Sequence, residues 1–430
     1  MDFEVIRPLC AGLDVHKKTV VAAVCSTDPV TLEASYTVKS FSTNNSQLHS
    51  LHDWLIRHGC HDVCMESTGK YWIPVFNILE TDMHVILTHP KYVKAIKGRK
   101  TDKRDAKWIA NLFRFDIVKA SFIPPADIRA LRELSRYRLK LAYMRSAEKN
   151  RYQNSMTISR IRIDNVLSDP FGKSASSIMD YLLSSDSFDE QHCLSLVHGG
   201  VKASTEELLD SIRGFEILPE QRFKMNHAKA HMDFIDKSIS EIEAELFRRS
   251  RPYDSLIRRI ATVPGITQLS ALFILSEIGA DMSVFDDSRH LASWAGLTPA
   301  NNESASKKKS VRCSKAGQYL KPLLVQCALA AIKSKKQPYY AIKYQRLAKR
   351  RGKKKAIIAI ARMMLESIYH MLSRGTDFCP CDYEAVVHPT KQKPVVLNLE
   401  NAIGFLREQG ADEATLTLIR QQISSVATTS

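Results

Sequence analysis

Between Ser304 and Arg362 the sequence holds no aspartate and no glutamate, while 18 of its residues there are Lys or Arg. The whole chain carries 62 Lys and Arg against 46 Asp and Glu, so outside this segment 44 basic residues face those same 46 acids. One segment therefore carries the whole formal excess of +16, as a surface built to meet phosphates would. A solvated tail is the alternative, but Leu320, Leu323, Leu324, Val325, Leu329 and Ile332 recur at helical spacing and call for a folded segment.

Other features are scarce as well. Nine cysteines, an odd number scattered along 430 residues, make no disulfide framework and suit a reducing cytoplasm. His58, Cys60, His61 and Cys64 have the residue types of a zinc site, yet no second pair follows at finger-like spacing, and Cys379-Pro380-Cys381 is equally alone. No signal-like apolar region opens the chain, and runs such as Ala271 to Leu275 are too short to span a bilayer. The expectation is a soluble protein with no membrane partner. At this length, with 44% hydrophobic residues, two or three domains are expected.

What the sequence does contain is organised around Thr101-Asp102-Lys103-Arg104-Asp105-Ala106. Thr101 can cap a helix whose buried side is Ala106, Ile109, Ala110 and Phe113, which places Asp102 and Asp105 together in its first turn. Lys100, Lys103, Arg104 and Lys107 surround them, so a salt-bridged helix start explains this stretch equally well on its own. Two acids upstream tip the balance. Leu9 to Cys25 reads as a strand hairpin with Asp14 near the end of its first strand. Ser46 to His58 is an amphipathic helix, and Val63 to Gly69 is a short apolar strand ending on Glu66, where α/β sheets place their chemistry. A helix from about Lys70 and a strand from His84 to Thr88 follow. Hairpin, strand, helix, strand and helix, with acids at Asp14, Glu66, Asp102 and Asp105, is the order of an RNase H-like nuclease domain. Two hard divalent cations about 4 Å apart need several oxygen ligands, and without metal four carboxylates meeting in a core would repel one another.

From Pro124 the sequence turns helical. Asp127 to about Arg160 interleaves Ile128, Leu131, Leu134, Leu141 and Met144 with arginines that include Arg136 and Arg138, candidates for nucleic-acid contact beside the reading of an ordinary amphipathic helix. Residues 170–220 lack clear periodicity and predict short helices and loops. Phe223 to Arg249 is again a long helix, free to pair with the first within one chain or between chains. Val263-Pro264-Gly265-Ile266 before a buried helix has the outline of a helix-hairpin-helix turn, with Thr267 where a second glycine is common. Asn301-Asn302-Glu303-Ser304 then precedes Lys307, Lys308, Lys309, Arg312 and Lys315, cations that would stabilise a serine alkoxide or grip a phosphate. A second basic run spans Lys349 to Lys355, followed by an apolar helix from Ala356 to Leu372 and a short one from about Asn398 to Gln409.

Gly12-Leu13-Asp14-Val15-His16-Lys17, Met65-Glu66-Ser67-Thr68-Gly69, Lys100 to Ala106, Leu134-Ser135-Arg136-Tyr137-Arg138, Val263-Pro264-Gly265, Ala295 to Pro299 and Asn301 to Ser304 stand in one order. In these motifs the chain, from about residue 10 to 372, resembles the transposases of the insertion-sequence 110 family, 1111 branch, DEDD enzymes described as bridge-RNA-guided recombinases. The resemblance implies an α/β plus α architecture: a RuvC-like domain (1–125), a helical coiled-coil region (126–255), a mostly helical transposase domain supplying a serine nucleophile (256–375) and an extension (376–430). It implies Mg²⁺ on Asp14, Glu66, Asp102 and Asp105, a phosphoserine link to DNA through Ser304, and nucleic-acid contacts from the basic residues named above. The partners implied are double-stranded donor and target DNA, a structured bridge RNA, and further copies of the chain as a dimer or tetramer on the bacterial nucleoid. Ser304-Ala305-Ser306 replaces the family's usual Ser-Ala-Gly and offers Ser306 as a competing hydroxyl. A junction nuclease that uses water, and a binding protein with a decayed nuclease domain, are the rival readings.

Overall fold

The computed structural model describes residues 4–66, 69–90, 93, 101–185, 187–299, 302–304, 307–310, 312–388 and 399–427. They form two units, Met1–Arg251 with Leu275–Gly279, and Pro252–Ile274 with Ala280–Ser430.

The first unit is built on β1 (Leu9–Val15), β2 (Thr19–Thr27), β3 (Ala34–Ser42), β4 (Asp62–Glu66) and β5 (His84–Thr88). Their order in the sheet is β3-β2-β1-β4-β5. The first three strands run antiparallel, whereas β1, β4 and β5 run parallel to one another. This is the RNase H-like sheet. β3 is an edge strand absent from the sequence reading, although Ala34, Tyr36 and Val38 alternate with Ser35, Thr37 and Lys39; only Phe41 of its nine residues is fully buried.

Each buried strand is apolar on both faces because helices cover both. On one side Ala11, Leu13, Val15, Val63 and Met65 pack with Leu48, Leu51, Trp54 and Leu55 of α1 (Asn45–Arg57) and with Val75, Phe76 and Leu79 of α2 (Trp72–Leu79). On the other, Cys10, Cys25 and Cys64 meet Ile109, Ala110 and Phe113 of α3 (Asp102–Arg114). Cys60 and Cys64 thus belong to clusters on opposite faces of the sheet.

Two long helices, α4 (Ala126–Ile158) and α9 (Pro219–Arg249), pair within this one chain. Between them α5 (Ile163–Val166), α6 (Lys173–Ser184), α7 (Glu190–Ser195) and α8 (Thr205–Asp210) surround a core of Ile161, Ile178, Leu182, Leu208 and Ile212.

The second unit comprises α10 (Asp254–Ile260), the first part of α11 (Gln268–Ile278), α12 (Ser288–Trp294), the hairpin β6 (Asn302–Ser304) and β7 (Lys307–Ser310), α13 (Leu320–Ala331), α14 (Tyr339–Arg351), α15 (Lys353–Arg374), α16 (Tyr383–Val387), α17 (Leu399–Glu408) and α18 (Glu413–Ala427). By length and composition α15 is apolar enough to cross a membrane. Here it is the helix on which α10, α12, α13 and α14 pack, with Ile360, Met364, Leu365 and Ile368 fully buried. Gly265 adopts φ +84°, and a Cβ on it would stand 2.5 Å from the Cys327 carbonyl oxygen and the Ala331 amide nitrogen of α13. Thr267 stands where a second glycine is common because its hydroxyl accepts the Ser270 N–H at 3.2 Å and so caps α11.

Candidate metal centre

Strand alternation and one close approach of backbones assemble the acidic end of the sheet. Along β1, Cys10, Gly12 and Asp14 face α3, while Leu13 and Val15 face the opposite core. β4 runs parallel in the register Gly12↔Cys64 and Leu13↔Met65, so Glu66 is one step beyond Met65 just as Asp14 is one step beyond Leu13. Gly12 lets α3 lie against β1: a Cβ there would reach 2.3 Å from the Ala106 carbonyl oxygen and 2.4 Å from the Ala110 amide nitrogen.

At its start α3 is held as the sequence predicts. The Thr101 hydroxyl accepts the Arg104 N–H at 3.3 Å, and the Thr101 carbonyl accepts the Asp105 N–H at 2.9 Å. Ala106, Ile109, Ala110 and Phe113 are all buried, and burial of Ile109 and Phe113 contributes about 2 kcal/mol each to seating the helix. Asp102 and Asp105 therefore arrive at the strand ends by packing and capping, rather than by attraction to one another.

Asp14 is buried, its side chain only 9% exposed, and its Oδ2 makes no hydrogen bond. Burial raises its carboxyl above the ordinary carboxylate range; His16 opposes that rise, and Asp102, Asp105 and Glu66 each add to it. All four predicted carboxylates are thus electrostatic neighbours. A buried, unsatisfied carboxylate oxygen among three further acids costs stability unless a cation completes the arrangement. The donors are hard oxygens, the chemistry that divalent cations such as Mg²⁺ or Mn²⁺ select.

His16 was read from the sequence only as part of a turn, yet its Nε2 lies 3.3 Å from Asp14 Oδ2 and 3.7 Å from Asp102 Oδ1. These three ligand atoms lie within 4.8 Å of one another. Its position just past the end of β1, two residues beyond Asp14 and in the turn to β2, is the one signal the sequence offered.

The remaining candidates sit elsewhere. In the second unit Ser304 pairs with Lys307 and Glu303 with Lys308, with an irregularity between Asn302 and Glu303. Ser304, Lys307, Lys308 and Lys309 are described through their backbone, and Ser306 lies outside the described residues. Arg312 and Lys315 follow the hairpin at exposed positions, as do all the basic residues from Lys349 to Lys355. In the first unit, Arg136 is bound to Glu277 at 2.7 Å and Arg138 to Glu243 at 2.7 Å, so both guanidiniums have carboxylate partners within the protein.

The first unit thus carries an RNase H-like sheet with acids at the ends of β1 and β4 and in the first turn of α3. Comparison with known families agrees: residues 11–159 match a transposase family, DEDD_Tnp_IS110, and residues 257–345 match the "Transposase IS116/IS110/IS902 family". The chain carries the two domains of IS110-family transposases. Among curated proteins it is similar to the putative transposase y4pF/y4sB of Sinorhizobium fredii (strain NBRC 101917 / NGR234), 24% identical over 186 residues, 42% of this chain and 47% of that protein. The matched stretch spans about half the length of that relative. Among solved structures, Thermus thermophilus RuvC matches at 16% identity over 26% of this chain and 99% of its own, with a TM-score of 0.22. The Fowlpox virus resolvase, solved with its substrate Holliday junction DNA, matches at 16% identity over 24% of this chain and 72% of its own, with a TM-score of 0.18.

Proposed function

We propose that this protein is a transposase that cuts and rejoins DNA strands for the movement of an insertion sequence, with a bridge RNA choosing the donor and target sites. The observation that carries the reading is the buried Asp14 carboxylate, unsatisfied at Oδ2 and flanked by Glu66, Asp102 and Asp105, inside a domain matched to a DEDD transposase family.

In this reading the four acids hold Mg²⁺, and the exposed lysines and arginines of the second unit hold the DNA backbone. What Mg²⁺ supplies when bound is neutralisation of the charge that builds on the phosphate and the departing oxygen. Ser304, from this chain or from a second copy, attacks a phosphodiester: its oxygen bonds to phosphorus, the ester bond to the deoxyribose oxygen breaks, and that oxygen leaves with a proton. Lys307, Lys308, Lys309, Arg312 and Lys315 are proposed to stabilise the alkoxide and grip the phosphate. Sequence choice through base pairing suits a protein whose excess charge is concentrated on one segment, because lysine and arginine contacts to phosphate carry no sequence information.

The test uses the full chain with donor and target DNA, Mg²⁺ and whatever structured RNA co-purifies with it. Joined product and a covalent protein–DNA adduct are expected, the product lost in Asp14→Asn and the adduct lost in Ser304→Ala. Product without any adduct would favour a junction nuclease that uses water. Binding without metal-dependent product would favour a non-catalytic nucleic-acid-binding protein. An adduct that survives Ser304→Ala and vanishes in Ser306→Ala would move the nucleophile.

A further inference from the structure

The turn between β1 and β2 is pinned in a way its exposed sequence does not require. The His16 N–H donates to the Thr19 carbonyl at 2.9 Å, the Thr43 hydroxyl to the Lys17 carbonyl at 2.9 Å, and the Thr43 N–H to the Lys18 carbonyl at 3.3 Å. These bonds fix the backbone that presents the imidazole to the acids, a preorganisation typical of ligand positions.

The separations suit a shared ion. Ligand atoms held about 2.1 Å from one octahedral cation are about 3.0 Å apart when adjacent and about 4.2 Å apart when opposite. His16 Nε2 lies 3.3 Å from Asp14 Oδ2, close to the adjacent separation, and 3.7 Å from Asp102 Oδ1, whose side chain is exposed and free to close on an ion. Asp14 Oδ2 is buried and makes no hydrogen bond, while the His16 imidazole stands at ion-pair distance from it.

We infer that His16 is a metal ligand, its Nε2 completing with Asp14 and Asp102 a mixed nitrogen and oxygen centre that holds Mn²⁺ more tightly than Mg²⁺. The inference rests on the metal reading proposed above and adds a donor outside the tetrad. Mg²⁺ rarely takes a nitrogen donor, whereas Mn²⁺, though it also favours oxygen, accepts an imidazole more readily, so the nitrogen donor shifts the preference from Mg²⁺ toward Mn²⁺.

The experiment is Mn²⁺ titration of the full chain without nucleic acid, followed by calorimetry and by electron spin echo modulation, which detects a nitrogen nucleus bonded to the ion. Wild type is expected to bind Mn²⁺ with a nitrogen signal. His16→Ala and His16→Gln, each checked by circular dichroism for an unchanged fold, are expected to lose that signal and to bind Mn²⁺ on the order of tenfold more weakly, with a smaller loss for Mg²⁺. Mn²⁺ bound by wild type and lost in Asp14→Asn, yet showing no nitrogen signal or one that persists in both His16 variants, overturns the role of His16 and leaves the carboxylate centre standing. Mn²⁺ that binds wild type and Asp14→Asn alike, or neither, overturns the metal reading itself and this inference with it.

Discussion

The Cβ that Gly12 lacks would stand 2.3 Å from the carbonyl oxygen of Ala106. No real side chain tolerates that distance, and because the obstacle is helix backbone, α3 would have to move. Gly12→Ala is expected to lift α3 off β1, cost about 3 kcal/mol or more, and separate Asp102 and Asp105 from Asp14. Thermal melting, with and without Mn²⁺, checks this: the variant should lose both stability and the gain on adding metal.

Gly265 supplies the contrast. Its left-handed backbone and its contact with Cys327 and Ala331 make Gly265→Ala costly for the second unit by about 3 kcal/mol. Hydrogen exchange should show loosening confined to α10 through α15, with metal binding at Asp14 preserved.

Removing the buried charge should stabilise the metal-free protein. Burial and three neighbouring acids work against ionised Asp14, so Asp14→Asn is expected to raise metal-free stability by about 1 kcal/mol while abolishing metal-dependent product. Chemical denaturation in a chelating buffer is the measurement; a loss above about 2 kcal/mol would show instead that the carboxylate stabilises the fold.

The same environment dictates a pH dependence. Because the folded state holds Asp14's proton more tightly than the unfolded state does, this group's contribution is most favourable at acid pH and declines as pH rises through the raised value. A cation must displace that proton. The rise in melting temperature produced by Mg²⁺ or Mn²⁺ should therefore be smallest at acid pH and grow as pH rises through the raised carboxyl value.

Arg136 gives a test of structure against nucleic-acid contact. Glu277 is 7% exposed at its side chain, so Arg136→Ala leaves a buried carboxylate with a weakened partner set and should cost about 2 kcal/mol. If its role is structural, the salt dependence of DNA binding stays as in wild type; a log–log slope lower by about one would place Arg136 on a phosphate.

How much of this was legible depends on the range of each cause. The Thr101 cap, the buried stripe of α3, the spans of α4 and α9 and the acids at strand ends were readable because capping and periodicity act within one or two turns of chain. β3 was legible too, since Ala34, Tyr36 and Val38 alternate with polar residues, but its short, half-exposed pattern went unread between the hairpin and α1. The partnership of α4 with α9 within one chain, and the ion pairs that occupy Arg136 and Arg138, are contacts between residues 83 to 141 positions apart, and no local pattern encodes them.

The sequence by itself determined which groups are available: four carboxylates at element ends, one segment free of acids, and glycines at positions where backbones meet. Only the tertiary structure decided that Glu66, Asp102 and Asp105 act electrostatically on one buried Asp14, and that His16 joins them. The physical reason is that field and coordination depend on separations of a few ångströms, fixed here by the register of β1 with β4 and by the close approach of α3 over Gly12.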